Sequence, residues 1–263
     1  MSFTKYIAIC KVNLRNSLQY FFDFILSNFF IALIIFIFIH LWKAVYSGTD
    51  GIIEGFTLNM MIWYLVLTES IVVSPKRLLV EIGDDIQSGN IAQQLNKPYN
   101  YVGFQFVSSM GKSMVNFCAI FAVSSITALI FLGGFNVFWL GLPLVAIIVF
   151  LALSLHILIN IFLGILGFWI EDTKGVLFIY NKIVFVLGGM LVPLDIFPQW
   201  LETISRILPF SFIAYHPARL FVNFDWVTAG KIMLVQGSWI IFTIVLIAIV
   251  YNVCIRKISV NGG

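Results

Sequence analysis

Charge is scarce in this chain. Only 10% of its 263 residues are Asp, Glu, Lys or Arg, against about 25% in soluble globular domains. Cysteine is sparse as well: Cys10, Cys118 and Cys254 stand far apart, in or beside apolar segments, which excludes a disulfide framework and a CxxC metal pair. The three histidines, His40, His156 and His216, show no metal-ligand spacing. A net charge of +3 is too small to point to nucleic acid. A phosphate-binding loop is also missing. Gly111-Lys112-Ser113 has the ending of one, but Phe106 occupies the position where the pattern requires a glycine. No Ser/His/Asp or paired-carboxylate arrangement lies at a common depth, so neither ATP hydrolysis nor other catalysis is expected within the chain.

What the chain has is apolar surface. Hydrophobic residues make up 61% of it and its mean hydropathy is +1.03, so it reads as an all-α, polytopic membrane protein with a single transmembrane domain over 1–263. Six spans are expected: Phe24–Val45, Phe56–Val73, Met114–Leu132, Val137–Ile170, Val176–Leu194 and Ile232–Ile255. The third is expected to begin with a surface-lying helical lead-in, and the fourth to be tilted, with Pro143 near its start. Ahead of them, Phe3, Ile7, Cys10, Leu14 and Leu18 share one helical face opposite Lys5, Lys11 and Arg15. This predicts a basic amphipathic helix over 1–20 lying in the headgroup plane. Six spans put both termini on one side. That side then carries eleven of the 15 lysines and arginines, leaving Lys43, Arg206, Arg219 and Lys231 opposite. The positive-inside rule makes the termini cytoplasmic and residues 195–231 external.

The longest polar interruption runs from Ser74 to Pro98. Leu78, Leu79, Ile82, Ile86, Ile91 and Leu95 fall at i+3 and i+4 steps, an apolar stripe for a membrane or a partner. Gly83 and Gly89 weaken a single helix, so two short helices are expected, broken near Ser88-Gly89-Asn90 and closed by Pro98. A plain solvated loop remains the alternative. His156 and Asn160 share a face of the fourth span with Gly164 and Gly167. Helix packing and a contact along a transport pathway are both open there. After the fifth span, Pro193, Pro198, Trp200 and Pro209 punctuate a segment with a short amphipathic helix, which would dip into the outer leaflet or cap the bundle.

The chain resembles the permease subunits of type-two ATP-binding-cassette transporters, in a bacterial branch formerly of unknown function. The likeness rests on Glu81-Ile82 through Asp85-Ile86, Ser88-Gly89-Asn90-Ile91, Leu95 and Lys97-Pro98. It rests equally on Leu191, Pro193-Leu194, Phe197-Pro198, Trp200-Leu201, Leu208-Pro209-Phe210, Pro217 and Arg219. The resemblance implies a translocation pathway formed by two permease chains, a homo- or heterodimer, in a bacterial cytoplasmic membrane. It also implies separate ATPase subunits that bring ATP and Mg and dock on the Ser74–Pro98 segment. Leu79, Ile82 and Ile86 would supply an apolar grip and Glu81, Asp84 and Asp85 would pair with basic residues of the ATPase. Glu171 and Asp172 would make a lesser contact, and Pro193, Pro198, Trp200 and Pro209 would belong to an external cap. An ATP-independent channel or secondary carrier is the rival. It predicts ionisable groups deep in several spans, whereas the deep positions here are nearly free of charge.

Overall fold

A computed structural model describes residues 21–49, 51–95, 97, 99–134, 138–170 and 172–261, with side chains for all of these except 21–25, 27, 95 and 255–261. The expected N-terminal helix over 1–20, Pro98 and Glu171 lie outside the described residues. The chain is all-α, as expected, apart from a two-residue-per-strand hairpin, β1 (Ile52–Ile53) and β2 (Phe56–Thr57). Glu54 and Gly55 both have positive φ at its turn, the backbone that tight hairpins need.

The first long helix, α1, spans Phe21–Tyr46, and α2 spans Leu58–Val73. Two short helices, α3 (Leu78–Gln87) and α4 (Asn90–Leu95), follow. Then come α5 (Tyr101–Leu132), α6 (Leu142–Ile165) and α7 (Thr173–Leu187). The remainder comprises α8 (Gln199–Ile207), α9 (Pro209–Ile213), α10 (Tyr215–Val222) and α11 (Trp226–Asn261). Short side chains fix the helix starts. Thr57 accepts from the Met60 amide at 3.3 Å, Asn100 from Gly103 at 2.8 Å, Asp172 from Gly175 at 2.9 Å and Asp225 from Thr228 at 2.7 Å. Each cap satisfies one of the amides that a helix start leaves unpaired.

Among the described residues, five helical stretches are long and apolar enough to cross a membrane: Asn28–Tyr46, Leu58–Gln87, Tyr101–Leu132, Trp139–Phe168 and Trp226–Cys254. α2 and α6 form the buried centre, while α1, α5 and α11 surround them and turn side chains such as Phe29, Ile130 and Leu234 outward. The expected lead-in to the third span is continuous with it, and the last helix runs on past Arg256-Lys257.

The fifth expected span, Val176–Leu194, differs most. α7 is 15 residues long and ends at Leu187, about 22 Å of helix, against the 30 Å of a hydrocarbon core. Gly189 has φ +67°, and the chain turns there beside α2. Three carbonyls left by this break are caught within the protein: Gly188 by the Tyr215 amide at 3.0 Å, Gly189 by the Tyr64 hydroxyl, and Met190 by the Thr68 hydroxyl at 2.7 Å. Both side chains lie in the middle of α2, so irregular backbone occurs here only because protein groups replace water.

The break between α3 and α4 falls where expected, with Gly89 at φ +74°. Gly83, by contrast, lies within α3 and is buried against α7. A Cβ there would fall inside the side chain of Thr173. Gly83→Ala is therefore expected to cost about 1–3 kcal/mol through overpacking, read as a lowered melting temperature in detergent. Combining it with Thr173→Gly should recover part of that loss. Equal melting of the native chain and Gly83→Ala would show that the contact is loose.

Candidate functional site

The polar segment is anchored where it leaves α2. Ser74 donates its hydroxyl to the Ser70 carbonyl and accepts from the Asn116 amide at 3.1 Å. Arg77 adopts φ +55°, a left-handed conformation uncommon outside glycine, which turns the chain from α2 into α3.

α3 has two unlike faces. Leu78, Leu79 and Ile82 are buried, at 3%, 0% and 0% exposure, and pack on α6, α7 and the 3-10 turn Leu166–Phe168. A Cβ at Gly164 of α6 would lie 2.9 Å from Ile82 Cβ, and one at Gly167 would lie 3.3 Å from Gly83 Cα. The glycines that continue the His156–Asn160 face thus form the notch that seats α3. This corrects the expected division of labour. Leu79 and Ile82 grip the chain's own helices and present no apolar surface outward, because the period that makes a helix amphipathic does not say which partner covers its apolar face. Ile86 is half-buried beside them.

The opposite face carries the acids. Glu81 and Asp84 are exposed and Asp85 is half-buried. Glu81 approaches Lys112 at 3.9 Å with both side chains largely in solvent, a pair of little energetic weight. Asp85 accepts from the Tyr101 hydroxyl at 3.3 Å. The Asp84 carboxylate has no hydrogen bond or ion pair among the described residues. Asp172 is exposed at the same end of the bundle and caps α7.

His156 and Asn160 are buried at 3% and 2% exposure. The Asn160 amide donates to the His156 carbonyl at 2.9 Å, one turn away in the same helix, and the His156 ring lies 5.6 Å from the Tyr180 ring. The ring contact joins α6 to α7 in the bundle interior.

At the other end, Pro193 is buried before the 3-10 turn Leu194–Ile196, Pro198 opens α8, and Pro209 stands in the first turn of α9. Trp200, Ile204 and Ile207 are exposed along one side of α8. On its other side lies a cluster that the sequence did not reveal. Asp195 accepts from Arg206 at 3.0 Å and Tyr215 at 2.9 Å, with Arg219 at 3.8 Å, and Arg206 also holds Glu202 at 2.8 Å. Asp195, Arg206, Tyr215 and Arg219 border a cavity of about 330 Å³ together with His216 and Asn223. Burial pushes the His216 imidazole down to about 4, so it is neutral at ordinary pH, and its ring stacks on Phe212 at 4.2 Å. No pattern marks this cluster in advance, because its members are separated by loops and carry no shared period.

No curated protein matches the chain. The sequence model of the family described as ABC-2 family transporter protein matches residues 18–262, which takes in every helix named above. The chain is an integral membrane protein of that family, whose members supply the membrane-spanning permease part of ATP-binding-cassette transporters and have no catalytic site of their own.

Proposed function

We propose that the chain forms, as a dimer, the translocation pathway of an ATP-driven exporter in a bacterial cytoplasmic membrane, with separately encoded ATPase subunits that bind ATP and Mg docked on α3. The observation that carries this reading is the two-faced seating of α3. Its apolar side is fixed to α6 and α7, while Glu81, Asp84 and Asp85 face outward at one end of the bundle. A push on the acidic face would pass directly into two helices of the permease. The distribution of basic residues supports a cytoplasmic location for this end. Lys182 lies midway along α7 and drops out of the comparison, leaving ten on this side against four.

At the external end, Asp195 ties the loop before α8 to Arg206 of α8 and Tyr215 of α10. This supports a cap that opens as a unit when substrate leaves. A carrier independent of ATP is favoured by two ionisable groups at membrane depth, Glu69 in α2, 4% exposed, and Lys182 in α7.

Reversing Asp84 and Asp85 to Lys together is expected to uncouple ATP hydrolysis from transport, lowering transport at least about tenfold as interfacial charge pairs are lost, with membrane insertion unchanged. Transport by reconstituted vesicles checks this, and native-level transport in the variant would rule out the acidic docking face. If no ATPase co-purifies and ATP leaves activity unaltered, the carrier stands instead. Asp195→Asn removes hydrogen bonds to charged partners worth about 1.5–3 kcal/mol. It should speed amide exchange at least about tenfold over 188–222 while α2 and α6 keep their protection. Unaltered exchange in the cap would show that Asp195 does not hold it.

A further inference from the structure

α7 is buried on one side only. Thr173, Tyr180 and Val184 face the bundle, and the opposite side presents Phe178, Lys182 and Phe185 to the exterior, with Asn181 beside them. Phe178 is 63% exposed. The Lys182 ammonium lies 5.3 Å from the Phe178 ring centroid and 5.6 Å from that of Phe185. It has no ion pair or hydrogen bond among the described residues.

This position is costly for a helix face turned to lipid. Lys182 stands two residues past Tyr180, whose ring contacts His156 midway along the Trp139–Phe168 stretch. That is close to the midplane of a hydrocarbon core about 30 Å thick, and beyond easy snorkelling distance of the headgroups. A lysine there costs about 2.5–3.5 kcal/mol on insertion scales unless it meets water or a counter-charge. A second copy of the chain does not supply that charge. The one carboxylate at such a depth among the described residues is Glu69, and it is buried inside its own chain. The face is therefore unsuited both to lipid and to a dry contact between identical chains, but suited to a wet pathway that receives an anion.

We propose that Lys182, with Phe178 and Phe185 flanking it, binds the anionic head of an amphiphile, a phosphate or carboxylate carried on an apolar chain. The ammonium pairs with the anion, Asn181 adds a donor, and the two rings line the route for the apolar part. This rests on the reading of the chain as a pathway-forming permease and assigns that pathway a class of substrate.

Two measurements on the full chain, neither of which requires the ATPase, test the proposal. In the first, Lys182→Cys is made in a chain whose Cys10, Cys118 and Cys254 are replaced by Ser, and treated in membranes with a charged, membrane-impermeant thiosulfonate. It should react at least about tenfold faster than Phe242→Cys on the outward face of α11. In the second, the chain in an uncharged detergent is titrated with dodecyl phosphate, with inorganic phosphate in parallel. Dodecyl phosphate should bind the native chain and Lys182→Arg, and bind Lys182→Met about tenfold or more weakly, while inorganic phosphate binds none of them appreciably. Labelling no faster than at Phe242→Cys, or equal binding by Lys182→Met, overturns the proposal. Tighter binding of inorganic phosphate than of dodecyl phosphate replaces the amphiphile with a free anion and overturns it too. Absence of ATPase coupling would refute the exporter reading and leave both readouts unchanged.

Discussion

The contact between α3 and the α6–α7 corner is the constraint on which the architecture turns. It is a contact of near-backbone closeness: Gly83 lies against Thr173, Gly164 receives Ile82, and Gly167 approaches the Gly83 backbone. Interiors packed at this density do not deform smoothly, so a helix seated in such a notch moves with the surface that holds it. The rest of α3 follows from that seating. Because Leu78, Leu79 and Ile82 are used internally, the outward surface is left to carboxylates, and an ionic face on a rigid mount is well suited to docking against a basic partner. Such a surface gives orientation and speed of association more than raw affinity.

A second constraint acts at the far end of α7. A helix that stops short of a full crossing leaves carbonyls at a depth where water is absent. The chain meets this with Tyr64 and Thr68 of α2 and the Tyr215 amide. The same bonds tie the segment after α7 to the central helix. α7 is thus held at both ends, by α3 below and by the α2–α10 clasp above, and the outer face that carries Lys182 lies between the two. Motion imposed at α3 would have a short, continuous, packed route to that face and to the segment after α7.

Much of this was legible in the residues. Hydropathy alone gave the all-α membrane class and most of the long helices, and Gly89 marked the break between α3 and α4. Gly164 and Gly167, placed by their spacing on the His156–Asn160 face, are the points where α3 closely approaches α6 and the turn after it. The inward orientation of Leu79 and Ile82 was not legible, since an apolar stripe has the same period whether it meets its own chain or another. Nor was the shortening of α7, because Met190, Leu191 and Val192 keep the hydropathy high beyond Gly188-Gly189. What ends the helix there is a pair of side chains more than a hundred residues away, and local pattern carries no trace of them. The Asp195 cluster was hidden for the same reason: its ion pairs join residues that only the fold brings together.

The central claim is that α3 and α7 move as one body when the ATPase acts. Spin labels at Ser88, at the exposed end of α3, and at Lys174, exposed at the start of α7, measure it directly by pulsed dipolar distance. In the complex with the proposed ATPase, with one doubly labelled chain diluted among unlabelled copies, the account predicts a single narrow distance that stays within about 2 Å between nucleotide-free and ATP-trapped states. A shift approaching one helical turn, about 5 Å, or a broad distribution in either state, would contradict it.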